Sequence, residues 1–221
     1  DTLICGNLSE LWNVDMKGNI LAGVSDCMNI MKYKHQFHMN KNDLYCNAGM
    51  YLVDLKKWRE EKVEDKIIKR IHEQNGNVFF FEQTLMNWSC SGKILQLPPK
   101  YNAYTLFWAF TYKNLICWRK PNAFYLESEV EEAKDNPIII HFTRNFYMLS
   151  RPWIKGCDHP KTKEYVKYKL LTPWKQLEED NRSKKSIRRY KLWHIIPQRI
   201  LAIGAGVIYN EVRPKLWWKN E

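Results

Sequence analysis

Apolar positions along this chain fall into short runs separated by polar turns, with a few longer stretches at helical spacing. Ile138-Ile139-Ile140 is the strongest run. Three β-branched residues in a row predict a strand buried on both faces. Pro137 precedes it, where a missing N–H does least harm, and His141 ends it. Leu3–Cys5, Ile20–Val24, Met50–Leu55 and Ile94–Leu97 read as further strands. The second of these ends at Ser25-Asp26, the last at Pro98-Pro99. Ser9 is placed to cap a helical turn through Trp12. Lys57–Gln74 carries Trp58, Val63, Ile67 and Ile71 near one stripe and predicts a helix stopped by Asn75-Gly76-Asn77. Glu82–Trp88, Glu127–Lys134 and Lys161–Leu171 predict more helices, and Thr172-Pro173-Trp174 predicts the start of another. Met28 to Asp43 is polar and non-periodic and reads as a long loop. Tyr101 to Tyr104 opens an irregular aromatic stretch. Strands alternating with helices place the chain in the α/β class.

Composition narrows the picture. With 221 residues, 45% of them apolar, the chain can bury the core of one sizeable domain, or of one domain with an appendage. No apolar stretch approaches the roughly 20 residues of a membrane-spanning helix. The six cysteines are scattered, without a C-x-x-C pair, which argues against a disulfide framework. Net charge is +11, and residues 181–221 hold ten Lys/Arg against two acids, a local +8. Such a block favours an anionic partner. The chain opens at Asp1, without Met and inside what reads as a motif, so a fragment of a longer protein is expected.

Candidate chemistry gathers at the ends of the predicted strands, where open α/β sheets present their ligand sites. His141 is a metal-capable imidazole, or a hydrogen-bonded core histidine. Arg151-Pro152-Trp153 follows it with a guanidinium suited to phosphate and a ring suited to stacking. Ala48 and Gly49 permit close approach by a ligand or another backbone. Glu82 and Gln83 fall at a helix entry, and Asp26 at a strand end.

Several segments, in order, resemble the retaining glycosyltransferases of family 8, which include bacterial lipopolysaccharide and capsule glucosyl- and galactosyltransferases and glycogenin. Asp1-Thr2-Leu3-Ile4-Cys5-Gly6-Asn7-Leu8-Ser9-Glu10-Leu11-Trp12 looks like the family's Asp-x-Asp run from its second aspartate. Cys46-Asn47-Ala48-Gly49 matches its Phe-Asn-x-Gly block. Glu82-Gln83-Thr84-Leu85-Met86-Asn87 matches Asp-Gln-x-x-x-Asn, with Glu for Asp. Leu97-Pro98-Pro99-Lys100-Tyr101-Asn102 matches Leu-Pro-x-x-Tyr-Asn. His141 and Arg151-Pro152-Trp153 stand for the late His and Lys-Pro-Trp, with a longer loop between them. The likeness runs from about Asp1 to Trp174.

The resemblance implies the C-terminal part of a Rossmann-like nucleotide-diphospho-sugar transferase fold, built on a single mixed sheet and lacking the N-terminal nucleotide-binding half. It implies retaining transfer of a hexose, glucose or galactose, from a UDP-sugar to a saccharide or lipid-linked acceptor. Mn²⁺, with Mg²⁺ as the alternative, would be held by Asp1, His141 and an aspartate upstream of Asp1. Arg151 and Asp1 would serve the diphosphate, and Asp26 and Asn47 the sugar hydroxyls. Gln83 would face the anomeric carbon with Glu82 beside it. Asn87 reads as structural. The alternative is a catalytically inactive nucleotide-sugar-binding or carbohydrate-binding homologue.

On this reading, residues 1–175 form the transferase part. Residues 176–221 form a basic amphipathic tail whose Trp193, Trp217 and Trp218 suit a headgroup region. The enzyme would lie in the cytoplasm, peripheral on the inner face of the plasma membrane. The tail's uninterrupted apolar face counts against nucleic acid as a partner.

Overall fold

The computed structural model describes residues 1–33, 39–40 and 42–218, without the side chains of Trp217 and Trp218. Residues 34–38 and 41 of the expected 28–43 loop, and residues 219–221, therefore lie outside the described residues. Among the described residues the strands are β1 (Thr2–Ile4), β2 (Leu21–Ser25), β3 (Cys46–Val53), β4 (Ile94–Gln96), β5 (Ala103–Tyr104) and β6 (Ile139–His141). They form two three-stranded mixed sheets, ordered β1-β6-β5 and β3-β2-β4, where a single sheet is expected. The physical reason lies at Pro98-Pro99. Two residues without N–H groups cannot extend the β4 ladder, and the chain turns through a 3₁₀ helix at Pro99–Asn102 before β5 begins.

Registers position the chemistry. β1 runs antiparallel to β6, with Thr2 opposite His141, so Asp1 lies beside the imidazole. The Phe142 N–H donates to the Asp1 carbonyl at 2.8 Å and fixes that end. β5 runs parallel to β6, pairing Tyr104 with His141. β2 pairs antiparallel with β3 and parallel with β4, but the β2–β3 register shifts between Gly23 and Ser25. The extra β3 residues bulge at Asn47–Met50, and a bulge re-aims side chains. Asn87 holds this bulge from outside the ladder. Its Oδ1 accepts from the Cys46 N–H at 2.6 Å, and its Nδ2 donates to the Cys46 carbonyl at 2.8 Å.

One phenol joins the sheets, and a second, from a loop, ties β2 to the end of β4. The Tyr104 hydroxyl accepts from the Cys27 N–H at 3.0 Å and reaches the Ser25 carbonyl at 3.3 Å. The Tyr125 hydroxyl accepts from the Ser25 N–H at 2.9 Å and donates to the Leu97 carbonyl at 2.6 Å.

The helices are α1 (Ser9–Trp12), α2 (Leu55–Glu60), α3 (Val63–Glu73), α4 (Phe81–Ser89), α5 (Leu106–Ala109), α6 (Tyr112–Arg119), α7 (Glu127–Asp135), α8 (Thr162–Lys169), α9 (Lys184–Ile195), α10 (Gln198–Val207) and α11 (Arg213–Trp218). A π-helical turn, Ile208–Val212, joins the last two. Some expectations are corrected. The 57–74 helix is broken at Lys62, which adopts φ 50°, so Val63 is buried while Ile71 is exposed. Ser9 does not cap α1; its N–H donates to Asn7 Oδ1, which takes the capping role. No helix starts at Thr172, because the residues after Pro173 supply no apolar stripe and the chain goes through turns. The aromatic stretch after Tyr104 is helical, in α5 and α6.

The larger core gathers around Tyr33, Tyr104, Phe107, Leu115 and Ile139, all buried. The tail contributes to it. Ala202 and Gly206 of α10 press on α6, where a Cβ at Gly206 would stand 3.2 Å from the Trp118 carbonyl. Asn210 Nδ2 donates to that carbonyl at 2.9 Å, and the Tyr33 hydroxyl donates to the Tyr209 carbonyl at 2.8 Å.

Candidate active site

The two sheets bring six of the sequence-selected residues into one connected network. Asp1, at the start of β1, meets two groups. Its Oδ2 lies 2.9 Å from a terminal Arg151 nitrogen, and its Oδ1 lies 3.2 Å from His141 Nε2. The opposite edge of the imidazole, Nδ1, faces Asn47 Oδ1 at 3.0 Å and Asn102 Oδ1 at 3.2 Å. Asn47 Nδ2 donates to Asp26 Oδ2 at 3.2 Å, and Gln83 Nε2 donates to the same oxygen at 3.0 Å. The Gln83 carbonyl accepts from the Ala48 N–H at 3.0 Å. Glu82 stands outside this network, exposed at the first turn of α4.

The network fixes the tautomer of His141. The Gly49 N–H donates to Asn47 Oδ1 at 3.0 Å, which identifies that atom as the amide oxygen. Asn102 Nδ2 also donates to Asn47 Oδ1 at 3.0 Å, so the Asn102 oxygen is the atom turned to the ring. With only acceptors before it, Nδ1 carries the proton and Nε2 carries a lone pair. Burial above all, with the positive charge of Arg151, pushes the imidazole pKa down to about 4. The ring is thus neutral near pH 7, and Nε2 and a carboxylate oxygen face each other with no proton between them. Two such electron-pair donors are the arrangement a divalent cation completes. The pair fits such an ion as part of its shell; among the described residues no group of three or more His, Cys, Asp or Glu is placed to hold a metal. The rest of the shell would come from phosphate, water or another carboxylate.

Gly49 makes this approach possible. A Cβ there would lie 2.1 Å from His141 Nδ1 and 2.6 Å from Asn102 Oδ1. The β3 bulge supplies Asn47, Ala48 and Gly49 together. On the α4 side, Phe80 and Phe81 take φ values of 58° and 48°, a left-handed entry that brings Gln83 to the bulge.

Two contributors escape a reading of the sequence. Arg119, at the end of α6, pairs with Asp26 Oδ1 at 3.1 Å, with both side chains about 10% exposed. Its Nε donates to the Cys27 carbonyl, and its guanidinium lies 4.0 Å from the Tyr209 ring centre. No motif marks it; it stands in an aromatic stretch that reads as irregular. Asn102 does lie in a recognisable segment, but only the structure shows it against His141.

A cavity of about 760 Å³ opens on the Asp26 side of the network. Asp26, Asn47, Gln83 and Arg119 line its polar end, while α9 and α10 supply an apolar wall.

Comparison with known proteins accords with this geometry. The chain is 28% identical over 218 residues to the lipopolysaccharide 1,2-glucosyltransferase of Escherichia coli K12, covering 95% of this chain and 59% of that one. It is 25% identical over 176 residues to general stress protein A of Bacillus subtilis 168, covering 79% and 57%. It thus spans under two thirds of these relatives' length. Among solved structures it superposes on galactosyltransferase LgtC in complex with donor and acceptor sugar analogues, with a TM-score of 0.59 at 16% identity, covering 86% of this chain and 62% of that one. GlyE of Streptococcus pneumoniae superposes with a TM-score of 0.53 at 21% identity, covering 78% and 38%. These likenesses show the same mixed α/β transferase fold. The glycosyl transferase family 8 model matches residues 1–155, from the Asp1 carboxylate past His141 and Arg151. The chain belongs to glycosyl transferase family 8.

Proposed function

We propose that this chain is the part of a retaining hexosyltransferase that holds the transferred sugar and part of a cation site. The enzyme would move glucose or galactose from a UDP-sugar to a saccharide or lipid-linked acceptor in lipopolysaccharide or capsule synthesis. The unbroken contact path Arg151–Asp1–His141–Asn47–Asp26–Gln83 carries this reading.

A bound Mn²⁺ or Mg²⁺ supplies charge stabilisation for the departing diphosphate. Asp1 and His141 would hold it, with a carboxylate upstream of Asp1 as a further ligand. Arg151, already aimed at Asp1, can turn its planar fork to phosphate oxygens. Asp26 is oriented by Arg119 on one oxygen and by two amides on the other, which leaves lone-pair capacity on Oδ1 for a sugar hydroxyl. Gln83 is held at both ends. Its carbonyl keeps a second lone pair, which can face the positive charge developing at an anomeric carbon. An amide is a poor nucleophile, so retention on this reading follows attack from the face the phosphate leaves.

Release of UDP from UDP-glucose and UDP-galactose by the full-length enzyme tests the reading. There His141→Ala should abolish cation-dependent turnover while the protein still folds; near-wild-type turnover would sink the assignment. Gln83→Ala should lower kcat by about 10²-fold with little change in KM. A raised KM alone would make Gln83 a ground-state contact.

We also propose that the tail rests on the cytoplasmic face of the plasma membrane. The support is its local charge of +8 and the exposed Ile195, Ile200, Ile203 and Ile208 of the bent helix pair. No single described helix is long and apolar enough to cross a membrane. Each basic residue near an anionic leaflet contributes about 1 kcal/mol. Replacing Lys184, Lys185, Arg188 and Arg189 by Glu leaves the α10 packing alone and should abolish sedimentation with anionic liposomes. Undiminished sedimentation would exclude α9 as the anchor.

A further inference from the structure

The cavity of about 760 Å³ does more than expose the sugar-side residues. Its volume lies in the range of sites that enclose a drug-sized molecule, and its lining changes character along its length. Asp26, Gln83 and Arg119 stand at one end. The apolar lining is Trp193, Ile200, Leu201, Gly204 and Ile208 of the tail, together with Phe80, Trp118 and Phe146 of the rest of the chain. Arg144 and Arg213 flank the same space and add two fixed cations.

A free saccharide would satisfy the polar end and leave the apolar wall wetted. A nucleotide sugar is anionic, and its base can stack on Trp193, but it has no hydrocarbon chain to cover Ile200, Leu201 and Ile208. An amphiphile with an anionic phosphate beside its saccharide, and a hydrocarbon chain beyond, matches all three parts. The wall also continues outward. Ile200 and Ile208 of the cavity lining are 60% and 62% exposed, so a chain lying in the cavity leads directly onto an apolar outer surface. Gly204 adds room at mid-wall, since a Cβ there would meet nothing within 4 Å.

We infer that this cavity binds the phosphate and the first part of the hydrocarbon chain of a lipid-linked acceptor, directing its saccharide end to Asp26 and Gln83. The tail helices are therefore part of the acceptor site and not only an attachment device. The direction of the saccharide rests on the transferase reading above; the chain-binding site does not.

Three probes separate the parts when titrated calorimetrically into the full 221-residue chain below their micelle concentrations: dodecyl phosphate, dodecyl maltoside and inorganic phosphate. Neither donor nor cation is added, so failure of binding leaves the transferase reading standing, and an active-site failure leaves this one standing. Dodecyl phosphate should bind at one site per chain, at least tenfold more tightly than inorganic phosphate. Gly204→Trp fills the open space from a helical position and should weaken dodecyl phosphate and dodecyl maltoside at least tenfold. Arg144→Gln should weaken dodecyl phosphate alone. Ile200→Asp, at an exposed position, replaces Gly204→Trp if that variant does not fold. Equal affinity in folded wall variants, or uptake of many probe molecules without saturation, would overturn the inference. So would a dimer of the chain that Gly204→Trp dissociates, which would make the wall a self-interface.

Discussion

Gly49→Ala is a one-carbon perturbation aimed at the imidazole. The new Cβ would stand 2.1 Å from His141 Nδ1 and 2.6 Å from His141 Cε1. Unstrained contact needs about 3.5 Å, so the ring or the bulge must move by more than about 1 Å. The bulge is held at Cys46 by Asn87, while the ring is held by side-chain contacts alone, at Nδ1 by two amides and at Nε2 by Asp1. The ring is therefore the part that yields. Its Nδ1 bond to Asn47 is lost, and a buried polar group left unpaired costs about 1–3 kcal/mol. Loss of an outer hydrogen bond to a metal-binding histidine lowers metal affinity about 10–100-fold. A 1 Å misplacement of reacting groups lowers turnover by about 10²-fold. Mn²⁺ affinity from electron paramagnetic resonance, UDP release and thermal melting together read these effects. The melting temperature should fall by about 2–4 °C for each kcal/mol lost, the usual scale for this chain length. Gly204→Ala, into open helical space, is the control and should be neutral or slightly stabilising. A Gly49→Ala protein with wild-type Mn²⁺ affinity and turnover would refute the reasoning.

Arg119→Met leaves the Asp26 carboxylate buried without its counter-charge and should destabilise the fold by about 3–5 kcal/mol in urea unfolding, well beyond an exposed Arg→Met. Asn87→Ala removes the acceptor of the Cys46 N–H, at about 1–3 kcal/mol, and should raise amide hydrogen exchange first along β3. His159 is buried, and burial, then Lys161, depresses its pKa to about 4. The unfolded chain takes up that proton near pH 6.5, before the folded one does. The His159 contribution to stability should therefore fall by about 1.4 kcal/mol per pH unit between about 6.5 and 4, beside that of His141, and His159→Gln should make that limb of a pH-dependent melting curve shallower.

What the sequence discloses follows from how local each signal is. The β6 strand is legible because three β-branched residues leave little choice of conformation. α7 is legible from an acidic segment with apolar residues at helical spacing. The break at Lys62 is not, since Glu60-Glu61-Lys62 carries no turn residue and reads as continuous helix. α5 and α6 are hidden because Leu106–Arg119 is apolar on nearly every side, which erases the stripe that marks a surface helix. In the site, Asp1, Asn47, Gln83 and His141 sit in ordered motifs and can be selected one by one. Their mutual contacts cannot, because they depend on the β3 bulge and on which amide oxygen faces the ring. Arg119 has no local signal at all. It is defined by a partner 93 positions away in the chain.

The site straddles two sheets that share no strand pairing. Asp26 and Asn47 belong to one, Asp1 and His141 to the other. Tyr104, on β5, crosses that seam, its hydroxyl accepting from the Cys27 N–H and reaching the Ser25 carbonyl. A tyrosine ring is a stiff spacer of fixed length. The separation between the Asp26 side and the His141 side of the site is thus gauged by an aromatic strut. Removing its hydroxyl would loosen the calibration of the site while leaving in place every residue proposed to face the substrate. On the proposed reading, drift in which cation or donor is accepted can therefore originate at this buried phenol, away from any atom proposed to touch a ligand.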